Sequence, residues 1–429
     1  MTSGPTEGPS EPDPDGGVLS YPVAMTSERG AVDVRAASRV LPRLGSVASR
    51  DASAIVALTL AILATYVVAA LAFHPTIAPG AARFVVPSRL DPLIHWDAGW
   101  YTRITRWGYT HVPNDPQQPT AYWPLFPGLT VGLQRLVPVL SIFLSGIVVN
   151  IVATCGAMLL VAALFPHWLL RHRLLLIAFL CTLPSAFFYV TYFSEAVFTF
   201  SVALTMWGLN RPGRAWWVVL GVVLATLDRP IGALLIIPVA VVLLRGDQAG
   251  RGFPHRALLA AVACSGVAML AVLSLAVTGS ADGMIRAHAA WNDFNNSGYL
   301  INALHAGRRA TGEFFLRHLL WQGTGDPADR VYSLGAVEDI LVLVGTLAAW
   351  VWRRSYAVIA LLLFAGAVAI GGVDSQARYM VTVIPAWVAL VVVIRRWAPW
   401  WAVLTAVAVA GWVVNLVLLH RYLAWEWAG

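Results

Sequence analysis

Lysine is absent from this 429-residue chain, so all 29 of its basic residues are arginine. Charge of either sign is scarce. Only 12% of residues are Asp, Glu, Lys or Arg, against about 25% in soluble domains, which excludes an ordinary water-soluble globule. The net charge of +7 sits on arginines scattered through short loops, with no basic stripe to track a nucleic-acid backbone. The three cysteines, Cys155, Cys181 and Cys264, lie in apolar stretches without a CxxC pair. That excludes a disulfide framework and a zinc knuckle. No GxxxxGK[ST] loop occurs, so a P-loop ATP site is excluded. His95, His288, His305 and His318 lack the i, i+4 spacing of a helical zinc pair, and neither a metal nor another cofactor is expected.

What is abundant is apolar sequence: 58% of residues are hydrophobic. Hydropathy and length predict an all-α polytopic membrane protein with about eleven spans. They cover roughly 52–73, 141–165, 174–192, 195–210, 215–227, 231–244, 257–279, 335–352, 355–372, 380–394 and 397–420. The Pro/Gly/Ser/acid-rich segment 1–50 reads as a disordered cytoplasmic tail without a signal peptide, and Met25 offers an alternative start. Residues 51–429 form one membrane domain, with outer loops at about 75–140 and 280–335. A run at Trp123–Leu129 reads as a short re-entrant or interfacial piece, and Glu313–Trp321 as an amphipathic helix or a plain spacer.

Arginine sets the orientation. Arg29, Arg35, Arg39, Arg43 and Arg50 precede the first span. Strict alternation then puts Arg171 and Arg173, Arg211 and Arg214, Arg245, Arg251 and Arg256, Arg353 and Arg354, and Arg395 and Arg396 on the same side. Every short loop on that side is basic, as the positive-inside rule requires of a cytoplasmic face. The other ends of the spans receive Asp97, Glu195, Asp228, Arg229, Asp374 and Arg378. Ionisable groups at membrane depth are costly unless paired or functional, so these are expected to converge in one outward-facing cavity. Pairing of Arg229 and Arg378 with Asp228, Glu195 or Asp374 is the structural alternative to phosphate binding.

The densest polar stretch is "HWDAGWYTRITRWGY", His95–Tyr109. A helix between Asp91-Pro92 and Gly108 would align Trp96, Trp100, Arg103 and Trp107 as a headgroup-facing strip. Asp97 and Tyr101 would lie on the neighbouring strip, facing the protein. An interfacial anchor accounts for the tryptophans; it gives no reason for an acid at position 97.

With the downstream "YWPLFPGL", this stretch resembles the luminal-loop signature of the PIG-V family of mannosyltransferases, which belong to the GT-C glycosyltransferases. The likeness is carried by Trp96, Asp97, Ala98, Gly108, Tyr109 and Trp123–Pro127. "YFSEAVF" around Ser194 and Glu195 is similar to a second family segment, and "ARYMVTVIP" with Arg378 and Tyr379 to a late one. "ATLDRPIGAL" resembles a third, centred on Arg229 and Gly232, with Asp228 and Pro230 in place of small or hydroxyl residues.

The resemblance implies a cell-membrane enzyme that takes a sugar from a polyprenyl-phosphate donor, and arginine without lysine in Ala/Val-rich spans points to a high-GC bacterium. The acceptor would be a hydroxyl on a lipid, glycan or protein, reached on the extracytoplasmic face. Asp97 is then the general base of an inverting transfer; Glu195, a rare acid at membrane depth, is expected to assist Asp97 in catalysis, to bind acceptor hydroxyls or to neutralise an arginine. Trp96, Tyr101, Arg229, Arg378 and Tyr379 are expected to bind substrate, the arginines taking the phosphate. A transporter or flippase for lipid-linked sugars is the rival reading, and it predicts broken helices and a repeat. A non-catalytic scaffold is a third.

Overall fold

In lipid, an apolar run must close its own backbone hydrogen bonds, and for a single segment only a helix does so. The structure, a computed structural model, describes residues 49–74, 89–113, 117–210, 213–245, 252–288, 329–370, 375–397 and 399–426. Among them every regular element is helical. In chain order these are α1 (Ser49–Ala72), α2 (Ala98–Trp107), α3 (Leu125–Leu136), α4 (Ile142–Ala162), α5 (Leu170–Cys181), α6 (Glu195–Leu209), α7 (Ala215–Asp228) and α8 (Ile236–Arg245). There follow α9 (Phe253–Ala263), α10 (Ser265–Thr278), α11 (Gly283–Arg286), α12 (Asp329–Trp352), α13 (Arg354–Ile370), α14 (Gln376–Met380), α15 (Ile384–Ile394) and α16 (Trp400–Leu423).

Five helices are long and apolar enough to cross a bilayer: α1, α4, the rod formed by α9 and α10, α12 and α16. The chain is an all-α membrane protein. Several shorter apolar helices, among them α6, α7, α13 and α15, stand with them. The 12 residues of α3 extend only about 18 Å at ~1.5 Å per residue. That is too short to span a core of about 30 Å, a length open to either the re-entrant or the interfacial piece expected at Trp123–Leu129. The tail before residue 49, the Glu313–Trp321 segment and Asp374 lie outside the described residues.

Three expected spans are interrupted. The run 174–192 is helical only to Cys181; a 3-10 turn at Ala186–Val190 follows, and helix resumes at Glu195. The run 231–244 opens as a 3-10 turn, Pro230–Leu235. The run 380–394 is split between α14 and α15 at Val381–Val383. Non-helical backbone at membrane depth survives only where other groups complete its hydrogen bonds; side chains from α1, α4 and α16 do so around 181–193, and Trp387 of the adjoining α15 does so at Met380.

Asn415 of α16 donates through Nδ2 to the carbonyls of Thr182 (3.1 Å) and Leu183 (2.7 Å), while its Oδ1 accepts from Phe187 N (2.9 Å). Asn150 of α4 donates to the carbonyls of Thr191 (2.6 Å) and Phe193 (2.8 Å). Tyr66 Oη of α1 donates to Cys181 O at 3.0 Å, and Trp387 Nε1 to Met380 O at 2.8 Å. Gly411 permits the approach of α16, because a Cβ there would lie 2.2 Å from Thr182 O.

Candidate functional site

The irregular segments meet at one end of the bundle and bring five ionisable side chains together. Each is placed by local chemistry. Pro230 disfavours helical geometry for the residue before it, so α7 ends at Asp228 and Arg229 is extended (φ −151°, ψ 148°). Glu195 is the first residue of α6, where the helix dipole favours a carboxylate. Arg378 lies in the short α14 just before the break. Asp97 immediately precedes α2.

Glu195 is the hub. Its Oε1 lies 2.5 Å from Arg229 Nη2 and 3.2 Å from Arg378 Nε. Arg378 continues through Nη1 to Asp97 Oδ2 at 3.1 Å and through Nη2 to Ser375 Oγ at 3.2 Å. Arg229 Nε donates to Ser194 Oγ at 3.0 Å and stands 4.0 Å from Asp228 Oδ2. Tyr101 Oη also donates to Ser194 Oγ, at 3.0 Å. The Tyr379 ring lies beneath both guanidiniums, 5.1 Å from Arg229 and 5.5 Å from Arg378, a shared cation–π platform. Three carboxylates thus face two guanidiniums, all of them buried except Asp97. Arg229 Nη1 and Glu195 Oε2 have no hydrogen-bond partner, while the Ser194 hydroxyl serves Asp228.

The first loop is fastened from three sides. The Tyr101 ring packs edge-on against Tyr122 (5.0 Å) and Phe126 (5.3 Å), which draws the "YWPLF" run onto α2. The Tyr122 hydroxyl hydrogen-bonds to Asp97. Burial, then the Asp97 charge, pushes the Tyr122 phenol above its ordinary value. Burial does the same for Tyr101 against the opposing pull of Arg229. Both phenols therefore remain protonated donors.

His95 N donates to Tyr422 Oη at 2.8 Å, the His95 ring pairs with Tyr422 O at 3.1 Å, and Trp425 stacks on that ring at 4.3 Å. Burial lowers the His95 pKa, with the Tyr422 carbonyl and the Asp91 carboxylate pulling the other way. Trp96 departs from the expected helical strip: α2 begins at Ala98, and Trp96 holds a left-handed φ of 56°. Such backbone is uncommon for a bulky residue. It turns Trp96 toward Trp425 (5.9 Å) and sets the direction in which Asp97 leaves the chain. Trp107 stays exposed, with Arg103 and Arg106 over its ring, as an interfacial anchor requires.

All seven side chains expected from the sequence thus fall in or beside one cluster, with Trp96 on its rim. Sequence reasoning missed Ser375, the Tyr422–Trp425 clamp, and Tyr122 as a partner of Asp97. It also missed Glu338 and Asp339, neighbouring acids within α12 that are 1% and 0% exposed. Their carboxylate oxygens have no hydrogen-bond partner. Two consecutive acids at the start of an apolar run were the available signal.

Two predictions arise here. Glu338→Gln with Asp339→Asn is expected to melt at or above the wild-type temperature, because burying an unpartnered carboxylate costs more than burying an amide. A fall in melting temperature would mean that the acids hold a partner. Gly232→Ala should lower stability by about 1–3 kcal/mol, the usual cost of overpacking. The new Cβ would lie 2.0 Å from Ala225 O and push the Arg229 turn off the end of α7. Unchanged thermal unfolding would show that this turn yields freely.

Comparison of the chain with models of known protein families and with curated proteins gives no match.

Proposed function

We propose that this protein is a GT-C-type glycosyltransferase that moves a sugar, mannose by the resemblance, from a polyprenyl-phosphate donor to a hydroxyl acceptor. In this reading the chain crosses the cell membrane eleven times. Its N-terminal region is cytoplasmic and the cluster opens on the extracytoplasmic side. The acceptor is a lipid or glycan, or a protein, at that surface.

One observation carries the proposal. Asp97 is the accessible member of the cluster, with 21% of its side chain exposed against 6% for Arg378, 8% for Arg229 and 0% for Glu195 and Asp228. A base must touch the acceptor, and the groups that neutralise a leaving phosphate work best in a dry surround. The depth fits as well. The 15 residues of α6 cover about 22 Å at ~1.5 Å per residue, short of a ~30 Å core. Glu195 at its start therefore lies in a recess below the surface.

The acceptor oxygen attacks the anomeric carbon as the bond from that carbon to the phosphate oxygen breaks. The acceptor proton passes to Asp97, and polyprenyl phosphate leaves with the bonding electrons. A single displacement inverts the anomeric centre. Arg378 and Arg229 oppose the charge that develops on the phosphate. Because Asp97 Oδ2 is tied to Arg378 Nη1, a donor phosphate that takes up Arg378 frees that oxygen for the proton. Glu195 holds the two guanidiniums in place until then.

The test is transfer of label from polyprenyl-phosphate mannose to endogenous acceptors in membranes containing the protein. Incorporation above protein-free membranes is expected. None with mannose or with a panel of other polyprenyl-phosphate sugars would remove the enzyme reading.

The flippase reading draws on the helices broken at 182–194, Asp228–Pro230 and Val381–Val383 beside the cluster, a feature of transporters. Proteoliposomes separate the two. A flippase moves the labelled lipid-linked sugar between leaflets without an acceptor, whereas a transferase leaves it where it was added.

A further inference from the structure

The opposite end of the bundle carries a second constellation of arginines, arranged quite differently. Glu195 opens α6 at the carboxylate cluster; Asn210, just past the end of α6, lines a cavity of about 440 Å³. The segment holding Arg378 likewise leads through α15 to Arg395 and Arg396, which line the same cavity. Arg353, at the end of α12, completes the basic wall. The rest is largely aromatic. Phe165 stacks on Trp168 (4.2 Å) and on Trp352 (5.6 Å), and the Arg395 guanidinium lies over the Trp168 ring at 4.3 Å.

Among the described residues no acid lines this cavity, and none of Arg353, Arg395 and Arg396 has an ion-pair partner. At the other end Arg229 and Arg378 each meet two carboxylates. The positive-inside rule explains why arginines occupy this end. It does not explain why Arg353, after α12, and the Arg395–Arg396 pair, after α15, surround one cavity with no acid among its described lining residues. Like charges gathered there repel unless an anion joins them. Guanidinium forks suit phosphate oxygens, and the volume is within the range of small-ligand sites, about 300–1,000 Å³. Tryptophans at helix ends mark the headgroup level, where basic pockets between helices take acidic lipids.

We infer that this cavity binds a phosphate-bearing anion, and that its occupant is the phosphodiester head group of an acidic membrane lipid. The inference is independent of the chemistry at the carboxylate cluster.

The test is lipid titration of the purified full-length protein in neutral detergent, read by native mass spectrometry with phosphatidylglycerol, phosphatidylcholine and inorganic phosphate as probes. Wild type is expected to retain one phosphatidylglycerol at concentrations at least tenfold below those needed for phosphatidylcholine. Arg353→Gln/Arg395→Gln/Arg396→Gln should lose that preference, while Arg245→Gln, a basic control outside the cavity, should keep it. Should the triple variant fold poorly, Arg396→Gln carries the test. This side chain is exposed, so melting should stay at the wild-type value while the preference falls about threefold.

Equal binding of the two lipids by wild type, or a preference that survives the triple substitution, overturns the lipid assignment. If inorganic phosphate then binds wild type and not the triple variant, the anion site stands and its occupant is a soluble phosphate. If phosphate also fails to bind, the anion site is overturned.

Discussion

Asp97→Asn is expected to lower sugar transfer by roughly 100- to 10,000-fold, the usual contribution of a positioned proton acceptor, while leaving the fold in place. The amide has the size of the carboxylate, and its oxygen can still accept from Arg378 Nη1, 3.1 Å away. What it cannot do is take the acceptor's proton. The neighbourhood tolerates the loss of charge because Arg378 keeps Glu195 at 3.2 Å and because Asp97 makes no side-chain cap to α2. The measurement is initial transfer rate at matched protein levels, with thermal unfolding alongside. A rate within twofold of wild type at an unchanged melting temperature would take Asp97 out of proton transfer. A collapse of both together would make it structural.

The largest loss of stability is expected from Asn415→Leu. The substitution keeps the volume and removes the partners of Thr182 O and Phe187 N, while Leu183 O keeps only Ala186 N at 2.9 Å. In a protein interior each orphaned group costs about 1–3 kcal/mol, whereas interhelical polar contacts in membranes average nearer 0.6 kcal/mol. Water cannot reach these buried groups, so the total should fall at about 1–4 kcal/mol for the two orphaned groups. Asn150→Leu removes two such bonds and should cost less. Unfolding followed in detergent, wild type beside each variant, reads the difference directly. An Asn415→Leu protein that melts with wild type would mean that the 182–194 segment rearranges to satisfy itself.

That dependence on remote amides explains which parts of the fold were legible in the sequence. Spans at 52–73, 141–165 and 397–420 correspond to Ser49–Ala72, Ile142–Ala162 and Trp400–Leu423, since a continuous apolar run of helix length has one outcome in lipid. The run 174–192 is as apolar and yet leaves the helix after Cys181. Hydropathy without periodicity cannot distinguish helix from buried irregular chain, and the partners that make the irregular form possible come from α1, α4 and α16. The site was legible because charge is rare here: Asp97, Glu195, Arg229 and Arg378 stood out against an apolar background. Their connectivity was not. Glu195, expected to serve catalysis, the acceptor or one arginine, lies between both guanidiniums, and Arg378 reaches Asp97, 281 positions away in the chain. Trp96 was misplaced on a helix because its left-handed φ answers to Trp425, which local pattern cannot register.

The clamp of Tyr422 and Trp425 on His95 and Trp96 also bears on biosynthesis. His95 and Tyr422 are 327 positions apart, so during translation the first loop emerges long before the helix that holds it. Until α16 has been inserted, the Trp96–Asp97 turn lacks its C-terminal support, however complete the other helices are. A nascent chain therefore carries its polar cluster unfinished until α16 emerges, and gains a fully fastened first loop only then.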